Sequence, residues 1–183
     1  EETKISNVRN PSVDLDLENG IASTVKTTLR YDKRYNIFEP SDGHYVSASL
    51  EYAGFYGDQD WFKMETEARF YEPIYAEYVF RSRVRLQRIT LTDSSDGIPR
   101  TEKFQMGGSR NMRGFNFEDI GPQEKLPDED NNDQLTNFNV GGNFSFLSQF
   151  EIEHPLVKEA GLKWVVFYDM GNVYSEELDF DEF

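Results

Sequence analysis

Period-two alternation of polar and apolar residues, sustained over segments of about 10 to 13 residues, constrains this chain more than any other feature. Val25, Thr27, Leu29 and Tyr31 fall on one side of an extended segment, with Lys26, Thr28, Arg30 and Asp32 on the other. Successive side chains of a strand point to opposite faces, so each such segment has one apolar and one polar face. After the turn Glu39-Pro40-Ser41-Asp42-Gly43, the residues Val46, Ala48, Leu50 and Tyr52 give a second apolar side. Gly54 to Asp60 reads as another turn. A third strand then sets Phe62, Met64, Thr66, Ala68 and Phe70 against Lys63, Glu65, Glu67 and Arg69. In the fourth, Tyr78, Phe80, Val84 and Leu86 oppose a row of Arg81, Arg83, Arg85 and Gln87. Two more follow: Asn143 to Glu153, with Phe144, Phe146, Phe150 and Ile152 on its apolar face, and Leu162 to Tyr174. In the last, Leu162, Trp164, Val166 and Tyr168 alternate with Lys163, Val165, Phe167 and Asp169.

The segment lengths separate two kinds of β-protein. Strands of soluble sheets peak near ~5–6 residues, whereas a tilted strand needs ~9–11 to cross a bilayer. The apolar fraction is only 37%, yet aromatic residues reach 15%. A barrel that turns apolar and aromatic side chains to lipid, and polar ones to a wet interior, has this composition. An acidic soluble β-sandwich shares it, so composition alone leaves both open. Six strands are fewer than the ~8 of small membrane barrels, and an open sheet edge in lipid lacks hydrogen bonds. The membrane reading therefore requires strands outside this sequence. No apolar run reaches the ~18 residues of a membrane-crossing helix, and the opening Glu1-Glu2-Thr3-Lys4 has no secretory-signal pattern.

A net charge of −15 argues against nucleic-acid partners, because phosphate binding depends on Lys and Arg displacing counterions. With no cysteine, thiol catalysis, disulfides and zinc–thiolate sites are excluded. The two histidines, His44 and His154, are far apart in sequence and belong to no catalytic motif. Gly107-Gly108 is not followed by the Lys-Ser or Lys-Thr of a phosphate-binding loop. Asp128, Asp130 and Asn132 open like a calcium loop, but Asp133 and Asn139 occupy the positions that should be Gly and Glu. The first twenty residues are polar, with Pro11, Asn19 and Gly20 as turn formers, and the acidic run 176–183 reads as turn or loop. Asp93 to Arg100 reads as a loop. Phe104 to about Asn137 is a long connection without periodicity, and such connections are functional or disordered.

That connection contains Phe104-Gln105-Met106-Gly107-Gly108-Ser109-Arg110-Asn111-Met112-Arg113-Gly114-Phe115, followed by Ile120-Gly121-Pro122. It resembles the signature loop of the BamA family, whose tip carries Val/Met-Arg-Gly-Phe/Tyr and folds back into the barrel. Gln149-Phe150-Glu151-Ile152 with Pro155-Leu156 is similar to the family's next strand. Val166-Phe167-Tyr168-Asp169-Met170-Gly171-Asn172-Val173 is similar to the strand after that. Upstream, Tyr31-Asp32-Lys33-Arg34-Tyr35-Asn36 with Pro40-Ser41-Asp42-Gly43 resembles a family hairpin, so the resemblance runs over roughly residues 20 to 175. Strand parity adds an independent point: Glu151 and Asp169 both fall on polar faces, opposite Phe150, Ile152, Trp164 and Val166. The resemblance implies that Arg113 pairs with these two carboxylates, whose geometry suits the planar guanidinium fork. Without the flanking motifs, all three read better as ordinary solvated charges.

The expected fold is all-β, an antiparallel meander of about six strands from an incomplete transmembrane β-barrel with a long inward-folded loop. Residues 1–183 would be a partial barrel domain with 104–137 as the signature loop; neither POTRA domains nor the terminal barrel strands are visible in the sequence. By resemblance the whole protein folds and inserts β-barrel proteins into the outer membrane of a Gram-negative bacterium, using no cofactor, no metal and no catalytic residue. Its partners would be nascent outer-membrane barrel proteins, accessory assembly lipoproteins and outer-membrane lipid. A TamA-like assembly factor, a two-partner secretion transporter and a passive porin- or adhesin-type barrel are the competing readings, along with a soluble acidic β-domain.

Overall fold

The computed structural model describes residues 21–92, 97–127 and 135–175. The turn formers near the N-terminus, the acidic stretch from Asp128 to Asp133 and the run from Glu176 lie outside these residues. Strands form where the alternation placed them: β1 (Ala22–Asp32), β2 (Gly43–Gly57), β3 (Trp61–Pro73), β4 (Val79–Leu91), β7 (Phe144–Val157) and β8 (Leu162–Tyr174). They make one antiparallel six-stranded sheet in the order β1-β2-β3-β4-β7-β8. Their lengths, 11 to 15 residues, meet or exceed what a tilted bilayer-crossing strand needs.

Register carries the alternation across the sheet. Lys26 pairs with Glu51, Glu51 with Lys63, Glu67 with Arg85, Arg81 with Glu151, and Gln149 with Asp169. Directly opposed residues share a face, so every row of charges joins one continuous polar surface. The other surface carries Val25, Leu29, Val46, Leu50, Phe70, Phe150, Ile152, Val166 and Tyr168, all exposed. A water-facing apolar patch on that scale is abnormal for a soluble monomer, while a lipid-facing wall requires it. Lys163 of β8 forms an ion pair with Glu39 in the β1–β2 turn. β1 and β8 are opposite edges of the sheet, so this contact requires the sheet to curl toward its polar side.

Three expectations change. The turn expected over Gly54–Asp60 shrinks, because β2 continues to Gly57 with Gly54 at φ +131° and Gly57 at φ +118°. At Gly54 a Cβ would lie 2.1 Å from Asp60 Oδ1, so glycine is what lets the strand continue there. The first turn starts earlier than Glu39: Tyr35 bridges Asp42, and Lys33 N–H donates to His44 O at 2.9 Å. The segment between β4 and β7 also has structure of its own: a 3-10 turn at Arg100–Glu102, just before the long connection, and within that connection a hairpin of β5 (Gln123–Pro127) and β6 (Leu135–Asn139). Five-residue strands containing Lys, Glu, Asn and Pro carry no clean alternation, so pattern reading cannot find them.

The buried apolar core lies on the polar side of the sheet, between wall and connection. Ala53, Trp61, Ile89, Leu147 and Val173 come from the wall; Ile98 comes from the loop after β4, and Phe104, Met106 and Met112 come from the connection. All five wall residues occupy the alternation positions that elsewhere carry charge. Each fully buried large side chain contributes ~1.5–3 kcal/mol, so this cluster holds the connection inside the curl of the sheet.

Candidate functional site: a loop docked on the inner wall

The connection enters through two backbone bridges. Phe104 pairs with Gly142 and Met106 with Ile120, the latter by Ile120 N–H to Met106 O at 2.9 Å. Inside them Gly108 bridges Met112, and Gly108 N–H donates to Phe115 O at 3.2 Å, closing a tight tip. Gly107 sits at φ +127°, where a Cβ would lie 2.1 Å from Asn116 O. Gly114 sits at φ +89° in open space, so its glycine is needed for backbone conformation rather than for room. Met112 is buried in the core cluster, Ile120 packs against it, and Phe115 is 53% exposed. Gly121 lies against the Asn139 side chain, and Pro122 O accepts from Val140 N–H at 3.0 Å.

Arg113 points from the tip to the wall. Its Nε donates to Asp169 Oδ2 at 2.7 Å, Nη2 to Asp169 Oδ1 at 2.5 Å, and its backbone N–H to Asp169 Oδ2 at 3.1 Å. Nη1 donates to Glu151 Oε1 at 2.5 Å. The guanidinium carbon lies 3.7 Å from the centre of the Phe167 ring, a cation–π distance. Phe167 is the register partner of Glu151, and Gln149 that of Asp169. The two acids are thus diagonal neighbours, spaced to be spanned by one guanidinium. The Asp169 side chain is 3% exposed, those of Arg113 and Glu151 22% and 25%. The hydrogen bonds to Asp169 are the main cause raising the Arg113 guanidinium above its ordinary value, so it stays charged at any physiological pH.

The arginine row of β4 also faces the loop. Arg81 Nη2 donates to Glu153 at 2.6 Å and Arg83 Nη2 to Glu67 at 2.8 Å. Arg85 Nη2 donates to Asn111 Oδ1 at 3.0 Å, and Gln149 Nε2 to Asn111 O at 2.7 Å. Sequence reasoning missed Phe167, Gln149, Asn111 and the loop-facing role of Arg83 and Arg85. Parity places the wall residues on the inner face, but nothing in the pattern says which of them the loop covers. Among the described residues no group of His, Asp and Glu is arranged to hold a metal ion. His44 and His154 stand in outward aromatic clusters, His44 between Tyr31 and Phe70 and His154 between Tyr78 and Trp164, away from the loop.

A curled, single-layer antiparallel wall, apolar outside and charged inside, with a loop packed on its inner face, defines a segment of a transmembrane β-barrel. Residues 2–183 match the Omp85 superfamily domain, and the chain belongs to that superfamily. It is 27% identical over 163 residues to the outer membrane protein assembly factor BamA of Nitratidesulfovibrio vulgaris, covering 88% of this chain and 19% of that protein. A SAM50-like protein of Drosophila melanogaster is 26% identical over 102 residues, covering 56% of this chain and 23% of its own length. The crystal structure of BamA from Haemophilus ducreyi lacking POTRA domains 1–3 has the same fold, with a TM-score of 0.72 at 19% identity over 83% of this chain and 30% of that one. The chain spans about a fifth to a quarter of the curated relatives it matches.

Proposed function

We propose that this chain is the loop-bearing wall of an outer-membrane assembly factor that folds and inserts other β-barrel proteins into the outer membrane of a Gram-negative bacterium. The observation that carries the reading is Arg113, held by Asp169 and Glu151 on the inner wall of an Omp85 barrel segment. An assembly factor of this fold performs no covalent step and uses no cofactor. Its clients are unfolded barrel strands, and its work is to offer them a prepared interface in the membrane. The docked loop stiffens one side of such a barrel, because the buried cluster and the ion pair join five wall strands, β2, β3, β4, β7 and β8, to the segment between β4 and β7. The apolar outer face supplies the contact with outer-membrane lipid, and accessory lipoproteins belong to the whole protein.

The test is reconstitution of the full-length protein into vesicles, with the folding rate of an unfolded client barrel followed by its shift on unheated gels. The reading predicts faster client folding than in protein-free vesicles or in vesicles carrying a porin. Equal rates in all three would reject it in favour of a passive barrel.

A further inference from the structure

Arg85 is the one member of the β4 arginine row that is neither ion-paired nor solvent-facing in the ordinary way. Arg81 pairs with Glu153 and Arg83 with Glu67, but among the described residues no carboxylate forms an ion pair with Arg85. Its Nε is buried without a partner, and its one hydrogen bond runs from Nη2 to Asn111 Oδ1 at 3.0 Å. In register it stands between Glu67 on β3 and Leu147 on β7, directly beneath the loop tip. A part-buried guanidinium without a carboxylate costs stability, so the wall by itself gains nothing from it.

Asn111 is held from a second direction as well. Gln149 Nε2 donates to Asn111 O at 2.7 Å, and Arg83 Nη1 reaches the neighbouring Arg110 O at 3.3 Å. None of these contacts involves Arg113, Glu151 or Asp169. Arg83 and Arg85 lie on β4, while Gln149 lies on β7 two residues before Glu151 and is the register partner of Asp169. The tip is therefore held at Arg110, Asn111 and Arg113 by two sets of wall groups of opposite character. Wall carboxylates accept from Arg113, and wall guanidinium and amide groups donate to Asn111 and Arg110.

We propose that Arg85 is a positioning residue for the loop. With Gln149 it forms a second clamp, on Asn111, that fixes how the tip lies across β4 and so delivers Arg113 to its two carboxylates. The proposal rests on the reading of the docked loop as the working feature of this wall, but its test does not depend on assembly activity. The full-length protein is purified in detergent, and amide hydrogen exchange is followed in the peptide covering residues 104–122. Its opening equilibrium reports loop docking directly. Global stability is followed in parallel by the temperature at which the barrel loses its folded gel mobility.

Arg85→Met is expected to raise opening of the loop peptide roughly tenfold, the size of one lost charge-assisted hydrogen bond, while leaving the global transition unchanged or raising it. Loss of a merely structural residue would raise opening and lower the global transition together. Asn111→Ala, which alters only the loop, should raise opening by the same factor, and Arg85→Met with Asn111→Ala should do no more than either alone. Adding Arg113→Ala to Arg85→Met should raise opening by less than the product of the two single effects, because the second clamp acts by delivering Arg113 to its carboxylates. Wild-type exchange in Asn111→Ala, or single effects that multiply in the Arg85–Asn111 pair, would overturn the proposal. If the exchange pattern appears but the vesicles show no accelerated client folding, the clamp stands and the assembly reading falls. The opposite pair of results removes the clamp alone.

Discussion

Asp169 and Glu151 both accept from Arg113, yet the geometry makes them unequal, and replacing each in turn measures that inequality. Asp169 takes three hydrogen bonds from Arg113, one of them from its backbone, and its side chain is 3% exposed. Glu151 takes a single bond and is 25% exposed. Removing one partner of a well-buried pair costs ~3–5 kcal/mol. Because Arg113 itself is 22% exposed to lumenal water, we take the lower end, about 3 kcal/mol, for Asp169→Ala. Glu151→Gln keeps an acceptor in a wetter place, and about 1 kcal/mol is appropriate. At ~1.4 kcal/mol per factor of ten, these become roughly 150-fold and roughly fivefold in the docking equilibrium of the loop. The chain contains no cysteine, so Met112→Cys, buried under the docked tip, gives a thiol that reacts only when the loop lifts. Maleimide labelling rates in the full-length protein, cleared of any other cysteine, should rise by those two factors. Equal factors for the two acids, or an Asp169→Ala effect below about fivefold, would refute the division of labour drawn from the hydrogen bonds.

Leu147→Ala removes a fully buried side chain from the wall side of the inner core. It should cost ~2–5 kcal/mol, read as a lower unfolding midpoint in urea on unheated gels. Gly171→Ala places a Cβ 2.5 Å from Phe146 O and 3.0 Å from Met106 Sδ. Backbone or loop must shift, and a loss of ~1–3 kcal/mol with faster loop exchange is expected. Lys158→Ala breaks a solvent-exposed pair with Glu77 in the turns opposite the loop; its effect on the same midpoint should stay below about 1 kcal/mol, which makes it the control for unspecific damage.

The wall was readable because each strand repeats one decision, lipid or water, at every second residue. Arg81, Arg83 and Arg85 could share only one face, and the register has them on it. For the same reason parity put Glu151 and Asp169 on the inner surface before any contact was known. The inner core was harder to see. Trp61, Ile89, Leu147 and Val173 stand at positions that the charged rows mark as polar, and read correctly they were the sign of something apolar lying inside. Their identity as loop-binding positions depends on Met106 and Met112 arriving from a segment without periodicity. The β5–β6 hairpin has five residues a side and charged or amide side chains, too short a pattern to separate from loop. Arg85 and Asn111 carry no local signal for their contact, because it is made across 26 residues of chain by the fold alone.

The central claim is that Arg113, through Asp169, holds a working loop inside an assembly barrel. It is tested most directly by replacing the full-length gene in a depletion strain with Arg113→Ala, Asp169→Ala and the pair together, and measuring folded client barrels in the outer membrane. The account predicts that each single replacement lowers client assembly at normal protein levels and that the pair is no worse than the more severe single. Full client assembly by Arg113→Ala, with the protein present and folded, would contradict it.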